Sequence, residues 1–463
     1  MHCLSPWIEM SLHCSGYGKV GCCAFSGRPF KFQEPYNILD LWNNIYFQKL
    51  RFAIANKQLD DTGCERCKFA FNDDRNINIE NCNKRQIENY KKIMDEYKHK
   101  KLILEGYPLM YQFNFNSSCN LKCIMCNQAD IRDIHVFDEK LSAECLLQNK
   151  EILSHAITIR ISGGEPLCSS ECKKFMKTLC IDKDLVDVEL DLTTNGLLLE
   201  KVFDYFVYKD KISISISMDG IGKVYEYIRK GAKWEKINSV IDKLINLKQK
   251  YNKKWKISSV FILMKSNLPI LVDYILYCLE KKIEPKFLLL SPTRDTYQED
   301  LINNPTLLNE VKNWEIIIKD SVDILKNKNF HSQANSLERF KEILLNSLHS
   351  GKDNNDCMIY FGEGFSNIEL IYGKKTVIWG VGSNYKYCLS QWLKDNLNKI
   401  KFIGFVSSWK EHWGKKCDGF PIFRPEELLK LKPEVIIIAA QQVYRISILE
   451  KIKTIGLKDV TII

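Results

Sequence analysis

Between residues 108 and 300, short apolar runs alternate with longer stretches in which apolar residues recur every three to four positions. The short runs Leu109–Phe115, Ile157–Ser162, Val186–Thr193, Ile212–Ser217, Ile257–Met264 and Lys286–Leu290 read as strands. The stretches between them read as helices. Over 233–248, for example, Trp234, Ile237, Val240, Ile241, Leu244 and Ile245 share one helical face. Six strands with helices between them predict a parallel βα-repeat sheet or barrel. Upstream, residues 85–101 read as a charged helix, and residues 1–84 are rich in Cys, Gly and aromatics with little helical periodicity. Downstream, amphipathic stretches at Val311–Leu325 and Leu337–Leu348 predict a helical region. After Tyr372 a new α/β pattern begins at TVIWGVG and continues through KFIGFV, EVIIIAA and DVTII. The expected organisation is a Cys-rich domain at 1–84, a linker helix at 85–107, an α/β core at 108–300, a helical linker at 301–370 and a second α/β domain at 371–463.

A chain of 463 residues is too long for one core, in keeping with that division. The longest apolar runs, such as Val435 to Ala440, are too short to span a bilayer, and the start has no signal-peptide pattern, so a cytoplasmic protein with no membrane partner is expected. The net charge is +10, but lysines are spread along the whole length. No basic block alternates with aromatics, so no nucleic-acid partner is expected. The 18 cysteines change the picture more. In a long cytosolic chain they point to metal or catalysis, and seven lie in the first 82 residues while three lie within eight residues at 119–126.

Cys119, Cys123 and Cys126 form C-x3-C-x2-C directly after the first predicted strand. Three thiolates on a [4Fe–4S] cluster leave one iron without a protein ligand, open to an amino acid's amine and carboxylate. Taken alone, three close cysteines with a fourth ligand also suit zinc. Further motifs stand in order at strand ends: Ser162-Gly163-Gly164-Glu165-Pro166, Thr194-Asn195-Gly196, and Ser215-Ile216-Ser217-Met218-Asp219-Gly220, followed by Arg229. With these motifs, residues 108–300 resemble the radical S-adenosylmethionine (SAM) superfamily. The resemblance implies a partial (β/α)6 barrel holding a SAM-binding [4Fe–4S] cluster on Cys119, Cys123 and Cys126. It also implies that Gly163, Gly164 and Glu165 meet the amino group of SAM's methionine, that Asn195 is a cofactor-binding residue, and that Ser217 and Asp219 lie near the SAM ribose. Arg229 would hold the methionine carboxylate, and Val260 and Ile262 would line the adenine. Met125 departs mildly from the pattern, standing where relatives often have an aromatic. In the implied chemistry one electron from the cluster cleaves SAM, and a 5′-deoxyadenosyl radical takes a hydrogen atom from unactivated carbon. A flavodoxin- or ferredoxin-type protein would be the reductant.

The amino-terminal stretch HCLSPWIEMSLHCSGYGKVGCC, with GCERC after it, resembles the auxiliary-cluster (SPASM or twitch) domains of such enzymes, here placed before the barrel. That resemblance rests also on Asn37–Trp42 and Leu50-Arg51. It implies a second, fully ligated auxiliary [4Fe–4S] cluster on Cys3, Cys23, Cys64 and Cys67, with Cys22 an alternative to Cys23. A structural zinc ribbon is the competing reading. Asp73 stands where the larger form of the domain would have a further cysteine, so the single-cluster form is expected. At the other end, Gly380-Val381-Gly382 follows a strand, but Tyr385 replaces the third glycine of a dinucleotide fingerprint and Ser407-Ser408 replaces the ribose-binding acid. The pattern resembles Rossmann-like domains of sugar-modifying and sugar-transferring enzymes, which leaves both nucleotide or sugar-nucleotide binding and a cofactor-free docking role open.

The expectation is an enzyme that oxidises, epimerises or dehydrates a small sugar-derived molecule. Peptide maturation is the rival activity, and an idle iron–sulfur carrier or scaffold the rival class. No acid/base residue is named. The remaining cysteines, 145, 168, 172, 180, 278, 357, 388 and 417, follow no readable spacing and are expected mostly as small buried hydrophobes.

Overall fold

The computed structural model describes residues 3–21, 30–59, 64, 77–126, 141–290, 298–349, 371–381, 385, 389–439, 442–457 and 460–462. The chain forms two compact units, one of Met1–Leu290 with Asn313–Glu338, the other of Ser291–Lys312 with Arg339–Ile463.

The first unit is built on a nine-stranded sheet. Its strands are β1 (Glu9–His13), β2 (Tyr17–Lys19), β3 (Phe30–Lys31), β4 (Met110–Asn114), β5 (Thr158–Ser162), β6 (Glu189–Thr194), β7 (Ile212–Ser217), β8 (Lys256–Leu263) and β9 (Glu284–Leu289), in spatial order β3-β2-β1-β4-β5-β6-β7-β8-β9. Strands β4 to β9 are the six expected from the sequence, all parallel and in chain order, which is the (β/α)6 arrangement. The helices fall where the periodicity puts them: Trp234–Lys250 buries Ile237, Val240, Ile241 and Leu244, and Ser170–Ile181 buries Phe175, Met176 and Leu179. Phe175 meets Phe113 of β4 edge-to-face, and Tyr274 of the helix Leu271–Glu280 packs at a tilt against Phe261 of β8, so these helices cover one face of the sheet.

The other face is polar. Parallel strands covered on both sides usually read as continuous apolar runs, but β7 is a strict ISISIS, with each Ile buried and each Ser partly exposed. In register the polar positions form rows. His13, Asn114 and Ser162 lie side by side across β1, β4 and β5, and Thr193, Ser215 and Ser258 continue across β6 to β8, ending on β9 at Glu284, which Gln333 holds. One register position in from the strand ends, charges are paired: Arg160 Nε donates to Asp191 at 2.8 Å.

The expected boundary near residue 84 does not separate two sheets. β1 pairs parallel with β4 over five residues, and β2 and β3 follow antiparallel, so the Cys-rich segment extends the core sheet. Arg51, fully buried, ties that segment down: it donates to the carbonyls of Pro6, Trp42 and Leu102 at 2.7–2.9 Å and lies over the Trp42 ring. Each bond is charge-assisted and each carbonyl belongs to a different stretch, so one side chain satisfies three buried acceptors. The charged linker helix is present as Lys84–Lys98, started by an Asn83–Gln86 capping box. Downstream, the amphipathic stretches form helices Trp314–Asn327 and His331–His349.

The second unit has its own six-stranded sheet of β10 (Lys375–Trp379), β11 (Lys401–Val406), β12 (Lys416–Cys417), β13 (Phe420–Phe423), β14 (Val435–Ile438) and β15 (Thr461–Ile462), ordered β12-β13-β11-β10-β14-β15. The strands from β13 to β15 are parallel, and the chain order reverses beside β10, the doubly wound pattern. Ile378, Phe405 and Ile437 pack on one side of this sheet and Val377, Val406 and Ile436 on the other. Among the described residues no helix is long and apolar enough to cross a membrane.

His13, at the end of β1, is largely buried with no partner at Nε2. Burial, with Lys19 adding to it, lowers its pKa to about 4. The unfolded imidazole titrates near ~6.5. A base whose folded pKa is depressed supplies its stability above the unfolded value and loses it as pH falls toward the folded one. His13 is therefore expected to cost up to about 3 kcal/mol between roughly pH 6.5 and 4. His13→Gln should flatten that part of the acid limb, read from urea midpoints at about pH 7 and 4.5; an unchanged difference between the two pH values would show that the imidazole does not carry it.

Candidate functional site

The C-x3-C-x2-C segment leaves β4 and runs between two other segments that grip its backbone. On one side Gly164 N donates to Asn116 O (3.1 Å) and Glu165 N to Ser118 O (2.7 Å). On the other, Lys122 N donates to Lys230 O (2.9 Å) and Ile124 N to Ile228 O (3.0 Å). The first grip explains the two glycines. A Cβ on Gly163, which has φ +135°, would lie 2.2 Å from Asn114 Oδ1, and one on Gly164 would lie 2.1 Å from Ser118 O. Both glycines therefore make room for the chain's own atoms, Asn114 at the end of β4 and the start of the cysteine loop.

Glu165 is fully buried. Its carboxylate accepts from Thr194 Oγ1 (2.7 Å), Asn195 N (2.8 Å) and Leu167 N (3.1 Å), which binds the end of β5 to the end of β6. Burial raises its pKa, and these hydrogen bonds with Arg229 pull it back. Asn195 in turn donates from Nδ2 to Asn120 Oδ1 at 2.8 Å and reaches Cys119 Sγ at 3.8 Å. The Gly-Gly-Glu and Thr-Asn-Gly motifs thus meet at the first cysteine.

The second grip places Arg229 opposite Cys123. Its Nη1 lies 3.6 Å from Cys123 Sγ, and its Nη2 forms an ion pair with Asp219. Asp219 sits at φ +60°, in the left-handed region that Asp tolerates better than most side chains. It is held there by Ile262 N donating to Oδ1 (2.7 Å), Asn267 Nδ2 donating to its carbonyl (3.0 Å) and its own N–H donating to Val260 O (3.2 Å). Burial works against the charge on Arg229, yet Asp219 and Cys123 more than offset it and keep the guanidinium protonated. Burial pushes the Cys123 thiol up, with Arg229 opposing and with Asp219, Cys119 and Cys126 adding. Ser217 pairs in register with Val260, and Val260 and Ile262 are partly exposed on the polar face, while Phe261 is buried on the other.

Three further side chains belong to this site and were not singled out in the sequence. Asn114 and Asn116 each carry a buried Oδ1 without a partner beside the Gly-Gly segment. Cys168 ends the 3-10 turn after Glu165 and shares with Cys119 a 4.0 Å approach to Asn120 Oδ1. Its only sequence signal is its place three residues after the glutamate. Cys145, Cys172, Cys180 and Cys278 are buried, as small hydrophobes would be. In the amino-terminal segment Cys3 and Cys64 are buried, while Cys22, Cys23, Cys67 and Asp73 lie outside the described residues, as do Cys357 and Cys388.

In the second unit, Gly380 has φ +119° and a Cβ there would lie 2.3 Å from Ala439 O, so this glycine serves the crossing of β10 and β14. Gly382 is outside the described residues. At the end of β11 the hydroxyls are engaged by the chain: Ser407 Oγ with His412 Nδ1 (2.9 Å), and Ser408 Oγ as acceptor from Trp379 Nε1 (3.1 Å).

Residues 113–265, which contain the gripped cysteine loop and the Gly-Gly-Glu, Thr-Asn-Gly and Asp219–Arg229 elements, match the radical SAM superfamily, so this chain carries a radical SAM domain. Residues 372–463 match the family described as C2185-like, N-terminal. A probable GTP 3′,8-cyclase of Methanococcus maripaludis (strain C6) is 29% identical over 140 residues, covering 30% of this chain and 45% of the relative. The molybdenum cofactor biosynthesis protein moc-5 of Caenorhabditis elegans is 24% identical over 183 residues, 39% of this chain and 30% of its own. The chain thus spans less than half the length of these relatives. Among solved structures, Streptococcus suis SuiB bound to S-adenosylmethionine overlaps 59% of each chain at 17% identity and a TM-score of 0.35. Native anSMEcpe with bound AdoMet overlaps 48% of this chain and 62% of its own, at 20% identity and a TM-score of 0.36.

The superfamily implies a [4Fe–4S] cluster and SAM, and the side chains present fit both. Among the described residues no three His, Cys, Asp or Glu side chains converge on a single-ion position. A cluster does not ask for that, since each thiolate takes its own iron. The buried orphan acceptors of Asn114 and Asn116 and the buried orphan donor Arg229 Nε suit an amino acid's ammonium and carboxylate.

Gly164→Ala should destabilise the protein without any ligand, by about 1–3 kcal/mol, because its Cβ meets backbone atoms of the cysteine loop. Denaturant midpoints of the metal-free protein test this. An unchanged midpoint would return the glycine to a purely ligand-facing role.

Proposed function

We propose that Cys119, Cys123 and Cys126 hold a [4Fe–4S] cluster whose fourth iron is left for SAM, and that the enzyme takes a hydrogen atom from a small substrate bearing a sugar. The observation that carries this reading is the double grip on the cysteine loop, which holds Cys119 beside Asn195 and Cys123 beside Arg229. Bound together, such a cluster and SAM supply one-electron cleavage of the sulfonium and a radical able to abstract hydrogen. The chain's own part is to bind and orient. Asn114, Asn116 and the Gly163–Gly164–Glu165 segment receive the methionine ammonium, Arg229 Nε donates to its carboxylate, Ser217 and Asp219 stand near the ribose, and Val260 and Ile262 face the adenine.

Two observations support a sugar-bearing substrate. His13, Asn114, Ser162 and Thr193 offer uncharged donors and acceptors at or next to the ends of β1, β4, β5 and β6, the end of the sheet from which the cysteine loop leaves. Hydroxyl-rich ligands are held by such groups, each matched by a hydrogen bond. The named activity of the Methanococcus maripaludis relative, GTP 3′,8-cyclase, concerns a ribose-bearing nucleotide. Cys3, Cys23, Cys64 and Cys67 are proposed to hold a second, fully ligated cluster, served like the first by a flavodoxin- or ferredoxin-type reductant. In the second unit the engaged hydroxyls of Ser407 and Ser408 favour a docking role over nucleotide binding.

The anaerobically reconstituted protein is then expected to carry roughly eight irons per chain. Replacing Cys119, Cys123 and Cys126 together by Ala should leave about half of them and abolish formation of 5′-deoxyadenosine from SAM. Normal 5′-deoxyadenosine formation by that variant would refute the cluster assignment, and one zinc in place of the remaining iron would refute the second cluster. Incubating the reduced enzyme with metabolite fractions, and following which compound disappears as 5′-deoxyadenosine appears, tests the substrate class. Consumption of a compound without a sugar would overturn that part.

A further inference from the structure

We infer that Arg229 is a positioning residue that raises the reduction potential of the cluster, and that Asp219 sets how far; this rests on the cluster reading above. The contact is fixed by backbone. Lys122 and Ile124 donate to Lys230 and Ile228 on either side of Cys123 and Arg229, so these two residues stand opposite each other in a short ladder. The guanidinium then has one direction open to each fork: Nη1 to the sulfur of Cys123 and Nη2 to Asp219. Asp219 is itself locked from three sides, by Ile262, Asn267 and Val260, in a left-handed conformation. A chain of fixed contacts therefore runs from the ends of β7 and β8 to a single cluster ligand.

The electrostatic consequence has a definite sign. A cluster becomes more negative on reduction, and a cation or N–H donor against a ligating sulfur favours the reduced form. Both groups are buried, so water screens the effect little. Asp219 opposes it, because its charge lies on the far side of the guanidinium. The pair acts as a fixed dipole with its positive end toward Cys123. Cys119, by contrast, meets the neutral amides of Asn195 and Asn120. Cys119 and Cys123 are thus inequivalent, and Cys123 carries the contact with a cation.

Redox titration followed by EPR, without SAM, tests the inference on the signal that is lost in the Cys119/Cys123/Cys126 triple Ala variant. Arg229→Gln should shift the potential of that signal downward, and Asp219→Asn should shift it upward, since the cation is then uncompensated. Opposite shifts are the signature: mere loosening of the loop would move both variants the same way. Arg229→Lys keeps the charge without the fork and should fall between Arg229→Gln and the parent, which preserves the test if the Gln variant fails to assemble. An unchanged potential in the Arg229 variants with the cluster intact, or shifts of one sign in Arg229→Gln and Asp219→Asn, would overturn the inference while leaving the cluster in place. Absence of a SAM-site cluster from the parent protein would instead overturn the reading on which it rests.

Discussion

Everything at the candidate site depends on the backbone of one loop being held from both edges. A loop carrying three thiols has no reason to keep them in place by itself, because its peptide groups would otherwise bond to water. Here Gly164 and Glu165 on one side and Ile228 and Lys230 on the other supply protein partners. The glycines at 163 and 164 are the condition for the first contact, since any Cβ would strike Asn114, Asn116 or Ser118. Glu165 then passes the constraint to the end of β6, and Arg229 passes it to Asp219 and the end of β8. Motifs that lie far apart in the chain are therefore parts of one mechanical unit around the cysteines.

The sheet beneath explains how that unit can face a ligand. Its strands are amphipathic where doubly covered parallel strands would be apolar throughout. Helices seal the apolar face through contacts such as Phe113–Phe175 and Phe261–Tyr274. The polar face keeps its hydroxyls and amides for something other than core packing. Burial on one side supplies the stability, and the alternation of period two hands the other side to chemistry at no cost in core contacts.

The amino-terminal segment shows the same economy. β1 joins β4 in parallel, and Arg51 closes the gap between stretches distant in the chain by satisfying their carbonyls. The added strand brings Ser11 and His13 into line with Gln112 and Asn114, so the polar rows begin outside the six-stranded core. In the second unit the doubly wound order is present, but the groups at its switch point bond to one another, Ser407 to His412 and Ser408 to Trp379. A fold that often holds a nucleotide is here built with its hydroxyls already taken.

Much of this was legible in the sequence. Period-two and period-3.6 patterns are local properties, and they placed all six core strands and the main helices, with ends displaced by a few residues where caps decide them. The cysteine spacing and the glycine motifs were likewise readable, because tight loops demand particular residue types at fixed intervals. What a residue touches is not local. No spacing relates Arg229 to Cys123, Cys168 to Cys119 or Asp219 to Ile262; these pairs exist because strand register and the two-sided grip bring distant segments together. The glycines show the difference most sharply. Their identity announced a close approach, but only the tertiary structure decided that the approaching group is the chain's own cysteine loop, since a missing Cβ marks where space is needed and the packing determines what fills it.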